Sequence, residues 1–281
     1  MKREKITSGQ NPRIKDLLRL IEKSRARRDA GLFVVEGQRE LRHCIDAAYV
    51  PQTLFLCESI SGAIFSERGC IEFKEGADVL ISKALALNPD LNIIEVPDHL
   101  YDKLAYRGST EGVIALVRAK ERGLKDLQLG PEPLIMVLES VEKPGNLGAV
   151  LRSADAAGAD AVIICDPLTD LYNPNLIRSS VGSVFTVQLA AASSEEAISF
   201  LKSLNIKILT AQLQDSSLYY ETDMTGATAI VMGAEATGLS RQWREAADAH
   251  IRIPMLGRMD SLNVSVSAAV LLYEAVRQRN K

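Results

Sequence analysis

Short apolar runs alternate with stretches in which apolar residues return every third or fourth position, the pattern of strands interleaved with helices. Residues 32–35, 53–56, 92–96 and 112–117 read as strands, with residues 38–48 and 78–87 as helices between them. Ahead of these, Asn11-Pro12 supplies a cap and a first-turn proline for a helix along which Ile14, Leu17, Leu18 and Ile21 follow at helical spacing. Residues 1–118 are therefore expected to form a small α/β domain. Residues 119–133 are charged, contain Gly123, Gly130, Pro131 and Pro133, and lack sustained alternation, which marks a linker. In residues 134–281, apolar runs at 134–138, 161–165, 207–211, 228–232 and 251–253 are separated by helical stretches. Short runs of this kind between helices imply a mostly parallel sheet with strands buried on both faces. Ligands of such sheets bind at the carboxyl ends of the strands, so the chemistry is to be sought in the loops that follow them.

Composition narrows the class. The chain has 281 residues, 47% hydrophobic and 25% charged, which suits one large or two modest globular domains. No apolar run approaches the roughly 20 residues that span a bilayer. The basic, polar start lacks the apolar core of a secretory signal, so a cytoplasmic protein is expected. Cys44, Cys57, Cys70 and Cys165 form no CxxC pair and read as reduced packing residues, and His43, His99 and His250 are scattered, so no metal is expected. Trp243 reads as a packing residue rather than a stacking platform. A formal charge of −3 argues against nucleic acid, yet residues 1–42 carry twelve Lys/Arg against six Asp/Glu. That stretch is either a solvated helix face or an RNA-docking face.

Three loops carry the candidate chemistry. The first is Glu142-Lys143-Pro144-Gly145-Asn146-Leu147-Gly148, running into a helix that contains Arg152; its glycines permit close backbone approach, and a helix start favours an anion. A GxGxxG dinucleotide fingerprint is absent, which disfavours a nicotinamide-dependent oxidoreductase. The second is Gly233-Ala234-Glu235-Ala236-Thr237-Gly238, whose glycines bracket an acidic residue. The third runs from Ile253-Pro254-Met255 to Ser261-Leu262-Asn263-Val264-Ser265 and enters the last helix with more hydroxyls and amides than capping requires.

Together these stretches resemble, in order and spacing, the three motifs of the SpoU or TrmH family of RNA ribose 2'-O-methyltransferases. The resemblance covers essentially all of residues 134–281. Phe33-Val34-Val35-Glu36-Gly37 also resembles the first strand of the L30e-like RNA-binding domain often fused in front. One departure is Ala234, where many relatives carry Asn. The resemblance implies an α/β fold with a deep trefoil knot at the C-terminal end, a homodimer formed through the catalytic domains, and S-adenosylmethionine as methyl donor. It implies RNA as substrate, with ribosomal RNA favoured over transfer RNA. By similarity the cofactor pocket would use Leu209, Ala211, Gly233, Glu235, Gly238, Ile253, Met255, Ser261 and Leu262. Catalysis would fall to Asn146, Arg152, Glu235, Ser261 and Asn263. RNA would meet Arg13, Arg27, Arg28, Arg39 and Arg178, with Asn175 and Ser180 beside the last on the RNA side or the dimer-facing wall. A non-catalytic RNA-binding protein is the rival reading, and the presence of Asn146, Arg152, Glu235 and Asn263 argues against it.

Overall fold

The computed structural model describes residues 2–57, 59, 63–65, 71–73, 77–105, 111–235, 237–258 and 260–280. Cys70, Ala236 and Met259 lie outside the described residues. The chain forms two compact units, Met1–Lys120 with Leu171–Phe185, and Glu121–Asp170 with Thr186–Lys281. A division near residue 118 was expected. That residues 171–185 leave the second unit to join the first was not.

In the first unit, β1 (Lys2–Lys5), β2 (Leu32–Glu36), β3 (Pro51–Cys57), β6 (Asn92–Val96) and β7 (Val113–Arg118) form a sheet of order β1-β6-β3-β7-β2. The short strands β4 (Ala63–Phe65) and β5 (Ile71–Phe73) pair antiparallel with each other. Helices α1 (Pro12–Glu22), α2 (Ser24–Ala30), α3 (Gln38–Asp46), α4 (Ala77–Leu87) and α5 (Asp98–Leu104) complete the unit. Asn11 caps α1 by accepting from the Arg13 N–H at 2.9 Å, and Pro12 occupies the first turn, as the sequence indicates. Ile14, Leu17 and Leu20 of α1 are buried. Strand β1 escapes the periodicity because it reads Lys-Arg-Glu-Lys and is exposed throughout. It is an edge strand, where charge is tolerated, and Lys5 and Arg3 both pair with the buried carboxylate of Glu95 on β6.

Arg27 corrects an expectation. It is 4% exposed, and its Nη1 donates to the carbonyls of Leu20 at 2.6 Å and Ile21 at 3.0 Å. Those are carbonyls of the last turn of α1, which lack intrahelical partners. Arg27 therefore ties α1 to α2 from inside and does not present its charge to RNA.

In the second unit, β8 (Leu134–Glu139), β9 (Ala161–Cys165), β10 (Leu189–Ala192), β11 (Lys207–Ala211), β12 (Ser217–Leu218), β13 (Thr228–Met232) and β14 (Ala249–Arg252) form a seven-stranded sheet. Its order is β10-β9-β8-β13-β11-β14-β12, and every described pairing is parallel. Every residue of β8, β9 and β13 is buried, which is why those runs are apolar without alternation. Helix α6 (Pro144–Ala156) follows β8, whereas α7 (Pro174–Ser179) and all but the last residue of α8 (Ser183–Thr186), which follow β9 in the chain, belong to the first unit. Helices α9 (Ser194–Ser203), α10 (Arg241–Ala246) and α11 (Val264–Arg279) come later. Trp243 of α10 is fully buried and donates from Nε1 to Ser194 Oγ at 2.9 Å, so it packs. Cys44, Cys57 and Cys165 are buried, and burial foremost pushes the Cys165 thiol up to about 12.

The segment Leu171–Phe185 is seated in the first unit by aromatic packing. Tyr172 stacks on Phe33 with centroids 4.3 Å apart, and Phe185 lies 5.3 Å from Tyr49. The Tyr172 hydroxyl accepts from the Lys120 N–H at 2.9 Å and donates to the Lys120 carbonyl at 2.8 Å. The chain then passes Val181 and Gly182, both at positive φ. A Cβ at Gly182 would stand 2.7 Å from His43 Cδ2, so that close approach requires glycine. Ser180, expected on a binding wall, is fully buried and donates to the Ile177 carbonyl at 2.7 Å.

The far end of α11 is fastened by one side chain. Arg279 donates to the carbonyls of Met224 at 3.0 Å, Glu132 at 2.8 Å, Gly226 at 2.6 Å and Pro133 at 3.4 Å. A guanidinium fork reaches four carbonyls at once, whereas an ammonium cannot. Arg279→Ala is expected to destabilise the second unit by about 2–3 kcal/mol, with Arg279→Lys intermediate. Urea unfolding followed by fluorescence of Trp243, the chain's single tryptophan, tests this. An unchanged midpoint would mean that water replaces the fork without loss.

Candidate active site

Strand order builds the site. β8 and β13 are neighbours, in register from Leu134 opposite Thr228 to Leu138 opposite Met232, so the loops leaving their carboxyl ends emerge side by side. The first loop starts α6, with Pro144 in its first turn and Asn146 just beyond. The second carries Glu235. Helix α11 packs along α6 and begins at Asn263, whose side chain accepts from the Ser265 N–H at 2.9 Å as a helix cap.

These elements bring the three motif loops onto one chain of polar contacts. Lys143 Nζ lies 3.1 Å from Glu235 Oε2. Asn146 Nδ2 donates to the other oxygen, Glu235 Oε1. Asn263 Nδ2 donates to Asn146 Oδ1 at 3.2 Å, and Asn263 Oδ1 also accepts from Ser265 Oγ at 2.6 Å. Both oxygens of Glu235 are thus engaged. Ser261 stands apart, donating to Asp260 Oδ1 at 3.2 Å. Arg152 is exposed on α6, and among the described residues its side chain has no hydrogen bond or ion pair. Its guanidinium is therefore open to an anion.

Beside this chain lies a cavity of about 370 Å³, within the roughly 300–1,000 Å³ typical of ligand pockets. Six residues expected to hold the cofactor line it: Ala211, Gly233, Glu235, Gly238, Ser261 and Leu262. Three others do not. Leu209 is fully buried within β11, and Ile253 and Met255 are half-buried outside the lining. Gly233 is indispensable to the wall, because a Cβ there would fall 2.3 Å from the carbonyl carbon and oxygen of Gly238. The loop closes on itself at that point, with the Gly238 N–H donating to the Ala234 carbonyl at 2.8 Å and Gly238 at φ +64°.

Two observations test whether S-adenosylmethionine suits this cavity. Gln212, at its edge, donates from Nε2 to the Gln214 carbonyl at 2.9 Å, while its Oε1 is buried with no partner among the described residues. An orphaned buried acceptor calls for a donor, which either amine of the cofactor could supply. The lining also combines Met232, Leu239, Leu262 and Val264 with backbone-rich turns, suited to a nucleoside and a thioether-like chain. The residues fit.

Sequence reasoning did not single out Lys143 or Glu139. Glu139, at the end of β8, is 5% exposed and accepts from the Ser240 N–H at 2.8 Å and from Ser194 Oγ at 3.3 Å, tying the base of the Gly233 loop to the neighbouring strand. A glutamate ending an apolar strand just before a glycine-bearing turn was the available signal. The five arginines expected on the RNA side fall in the first unit. Arg13 pairs with Glu4 at 2.6 Å, and Arg28 is exposed. Arg39 pairs with Glu40 at 2.8 Å and, with Arg178, lines a cavity of about 170 Å³; Arg27 is buried. Among the described residues no group of three or more His, Cys, Asp or Glu could hold a metal ion, and no helix is long and apolar enough to cross a membrane.

Comparison with known proteins agrees with this geometry. The model of the SpoU rRNA methylase family matches residues 133–273, and that of the MRM3-like substrate binding domain matches residues 11–115. The 23S rRNA (guanosine-2'-O-)-methyltransferase RlmB of Photorhabdus laumondii is 40% identical over 176 residues, 60% of this chain and 72% of that protein. The crystal structure of an RNA 2'-O ribose methyltransferase superposes with a TM-score of 0.78 at 39% identity, covering 99% of this chain and all of that one. An AdoMet-bound rRNA methyltransferase from Sinorhizobium meliloti gives 0.86 at 26% identity over 98% of each chain. With three motif loops converging beside a cofactor-sized cavity, and with these matches, the chain belongs to the SpoU rRNA methylase family.

Proposed function

We propose that this protein transfers a methyl group from S-adenosylmethionine to a ribose 2'-hydroxyl of 23S ribosomal RNA. The observation that carries the proposal is the Lys143–Glu235–Asn146–Asn263 chain, which joins three separate loops at the rim of the cavity. Bound S-adenosylmethionine supplies an electrophilic methyl carbon on a sulfonium. Ala211, Gly233, Gly238, Ser261 and Leu262 would hold it, and Gln212 Oε1 would offer an acceptor to one of its donors.

The attacking 2'-oxygen must be oriented and must lose its proton. Asn146 and Asn263 each have one N–H beyond those used in the chain, and these orient the ribose or the cofactor carboxylate. Glu235 is committed on both oxygens and acts by orientation. Arg152 is no base, since a guanidinium stays protonated and has no lone pair to offer. It clamps an RNA phosphate and stabilises the developing alkoxide, while a phosphate oxygen or water takes the proton.

The wider reading follows the same support. Residues 1–118, joined by residues 171–185, form the L30e-like substrate-binding domain, residues 119–133 a linker that packs mostly with the second unit, and the rest of residues 134–281 the methyltransferase domain with its C-terminal trefoil knot. A homodimer forms through the catalytic domains. The exposed apolar residues Val266 and Tyr273, seven positions apart on α11, provide a stripe for a second copy to cover. In the same reading the protein works in the cytoplasm.

Incubation with labelled S-adenosylmethionine and unmodified ribosomal and transfer RNA, followed by mass spectrometry of nucleosides, tests the reaction. A 2'-O-methylated nucleoside in 23S RNA is the expected result; label in transfer RNA alone would move the substrate, and failure to bind the methyl donor would leave a non-catalytic RNA-binding protein. Gly233→Ala should weaken cofactor binding in calorimetry by at least about tenfold, or 1.4 kcal/mol. Wild-type affinity in that variant would place the cofactor elsewhere. Arg152→Lys should lose about tenfold or more in turnover, since a point charge replaces a bidentate fork. Near-normal turnover across pH would dismiss the clamp.

A further inference from the structure

We propose that Lys143 is a positioning residue for methyl transfer, acting through Glu235 and not on the RNA. The inference rests on the methyl-transfer reading of this site and adds a residue to it. A primary amide has a donor end and an acceptor end, so two amides in a row between fixed partners can run in only one direction. One fixed partner is the start of α11, where Ser265 donates from N and Oγ and so demands Asn263 Oδ1. The other is the Glu235 carboxylate, which demands Asn146 Nδ2. Turning Asn146 over would set its Oδ1 against the carboxylate and its Nδ2 against Asn263 Nδ2. Asn263 is turned by the helix start, whereas the place and direction of Asn146, and hence which of its N–H groups faces a substrate, depend on the carboxylate staying in place.

Lys143 is what keeps it there. The Glu235 side chain is 32% exposed and would otherwise turn towards water, and the contact of Lys143 with Oε2 leaves Oε1 to receive Asn146. The Lys143 side chain is 69% exposed, and an ion pair this open adds little to stability. Its removal should therefore spare the fold and impair the chemistry. It is also the residue immediately before α6, so its backbone position relative to Asn146 is fixed by the same helix start.

The test compares Lys143→Ala, Lys143→Arg, Glu235→Gln and the Lys143→Ala/Glu235→Gln double variant. Single-turnover methylation, KM for RNA and calorimetric S-adenosylmethionine binding are measured for each. Lys143→Ala should lower the methylation rate about tenfold with KM for RNA within about twofold, and Lys143→Arg should restore most of the rate. The double variant should be no slower than Glu235→Gln alone, because a residue that acts only through a partner adds nothing once the partner is changed. Raised KM with an unchanged rate, and losses that multiply in the double variant, would instead make Lys143 a phosphate contact and overturn the proposal. A readout without RNA separates this from the broader function. The side-chain amide NMR signals of Asn146 and Asn263, assigned by their loss in Asn146→Ala and Asn263→Ala, should shift in Lys143→Ala and return in Lys143→Arg. Unmoved signals would overturn the positioning role, whereas shifted signals in a protein that methylates no tested RNA would uphold it and send the substrate assignment back.

Discussion

Parallel pairing of β8 with β13 is the constraint on which this site depends. Neighbouring strands lie about 4.8 Å apart, so two loops leaving their carboxyl ends are neighbours whatever their distance in sequence. Asn146 and Glu235 are 89 residues apart and meet for this reason alone. Helix α11 then follows α6, and its capping residue completes the row. Had β11 stood beside β8 in place of β13, the same residues would face different loops. The motifs work as a set because strand order makes them one surface.

The constraint reaches below the surface through Glu139. A carboxylate ending a fully buried strand must be met by donors, and those available are the N–H at the base of the Gly233 loop and the Ser194 hydroxyl. The single Ser194 proton is shared, lying nearer Asp166 Oδ2 at 2.6 Å than Glu139 Oε1 at 3.3 Å, while the Ser194 oxygen receives the Trp243 indole. Ser194 thus joins the carboxylates of Glu139 and Asp166 to Trp243 in a buried polar network at the base of the Gly233 loop. Above it, Gly233 has no room for even a methyl group, so the loop can take one path. Buried network and tight loop together hold that wall in one arrangement, the preorganisation that positioning requires.

What the sequence discloses follows from which residues must obey periodicity. β8, β9 and β13 are buried on both faces, and their apolar runs mark them to within a residue. β1 is an edge strand of four charged residues, and the short β10 reads Leu-Ala-Ala-Ala, so neither carries a pattern to find. The candidate site was legible through its motifs, since loops at strand ends must supply polar groups that capping does not consume. Leu209, Ile253 and Met255 were placed in the cofactor wall by similarity, yet none lines the cavity. The seating of residues 171–185 in the first unit was not legible, because it rests on stacking between Phe33 and Tyr172, and no local pattern encodes a contact between distant aromatics.

The arginines show why counting charge misleads in both directions. Arg27 counts as a cation in sequence but spends its guanidinium on two helix-end carbonyls that nothing else would satisfy, so a phosphate cannot recruit it without leaving them bare. Arg13 and Arg39 are paired with Glu4 and Glu40, which looks like neutralisation, yet their side chains are 51% and 59% exposed. The Arg13–Glu4 pair is exposed on both sides and worth roughly 0–1 kcal/mol, so a phosphate backbone can take Arg13 at small cost, whereas taking Arg39 would leave behind the buried carboxylate of Glu40. An overall charge of −3 is therefore compatible with an RNA-binding surface. The quantity that matters is the number of cations whose present partners are cheap to exchange, and burial decides it, not the sum of signs.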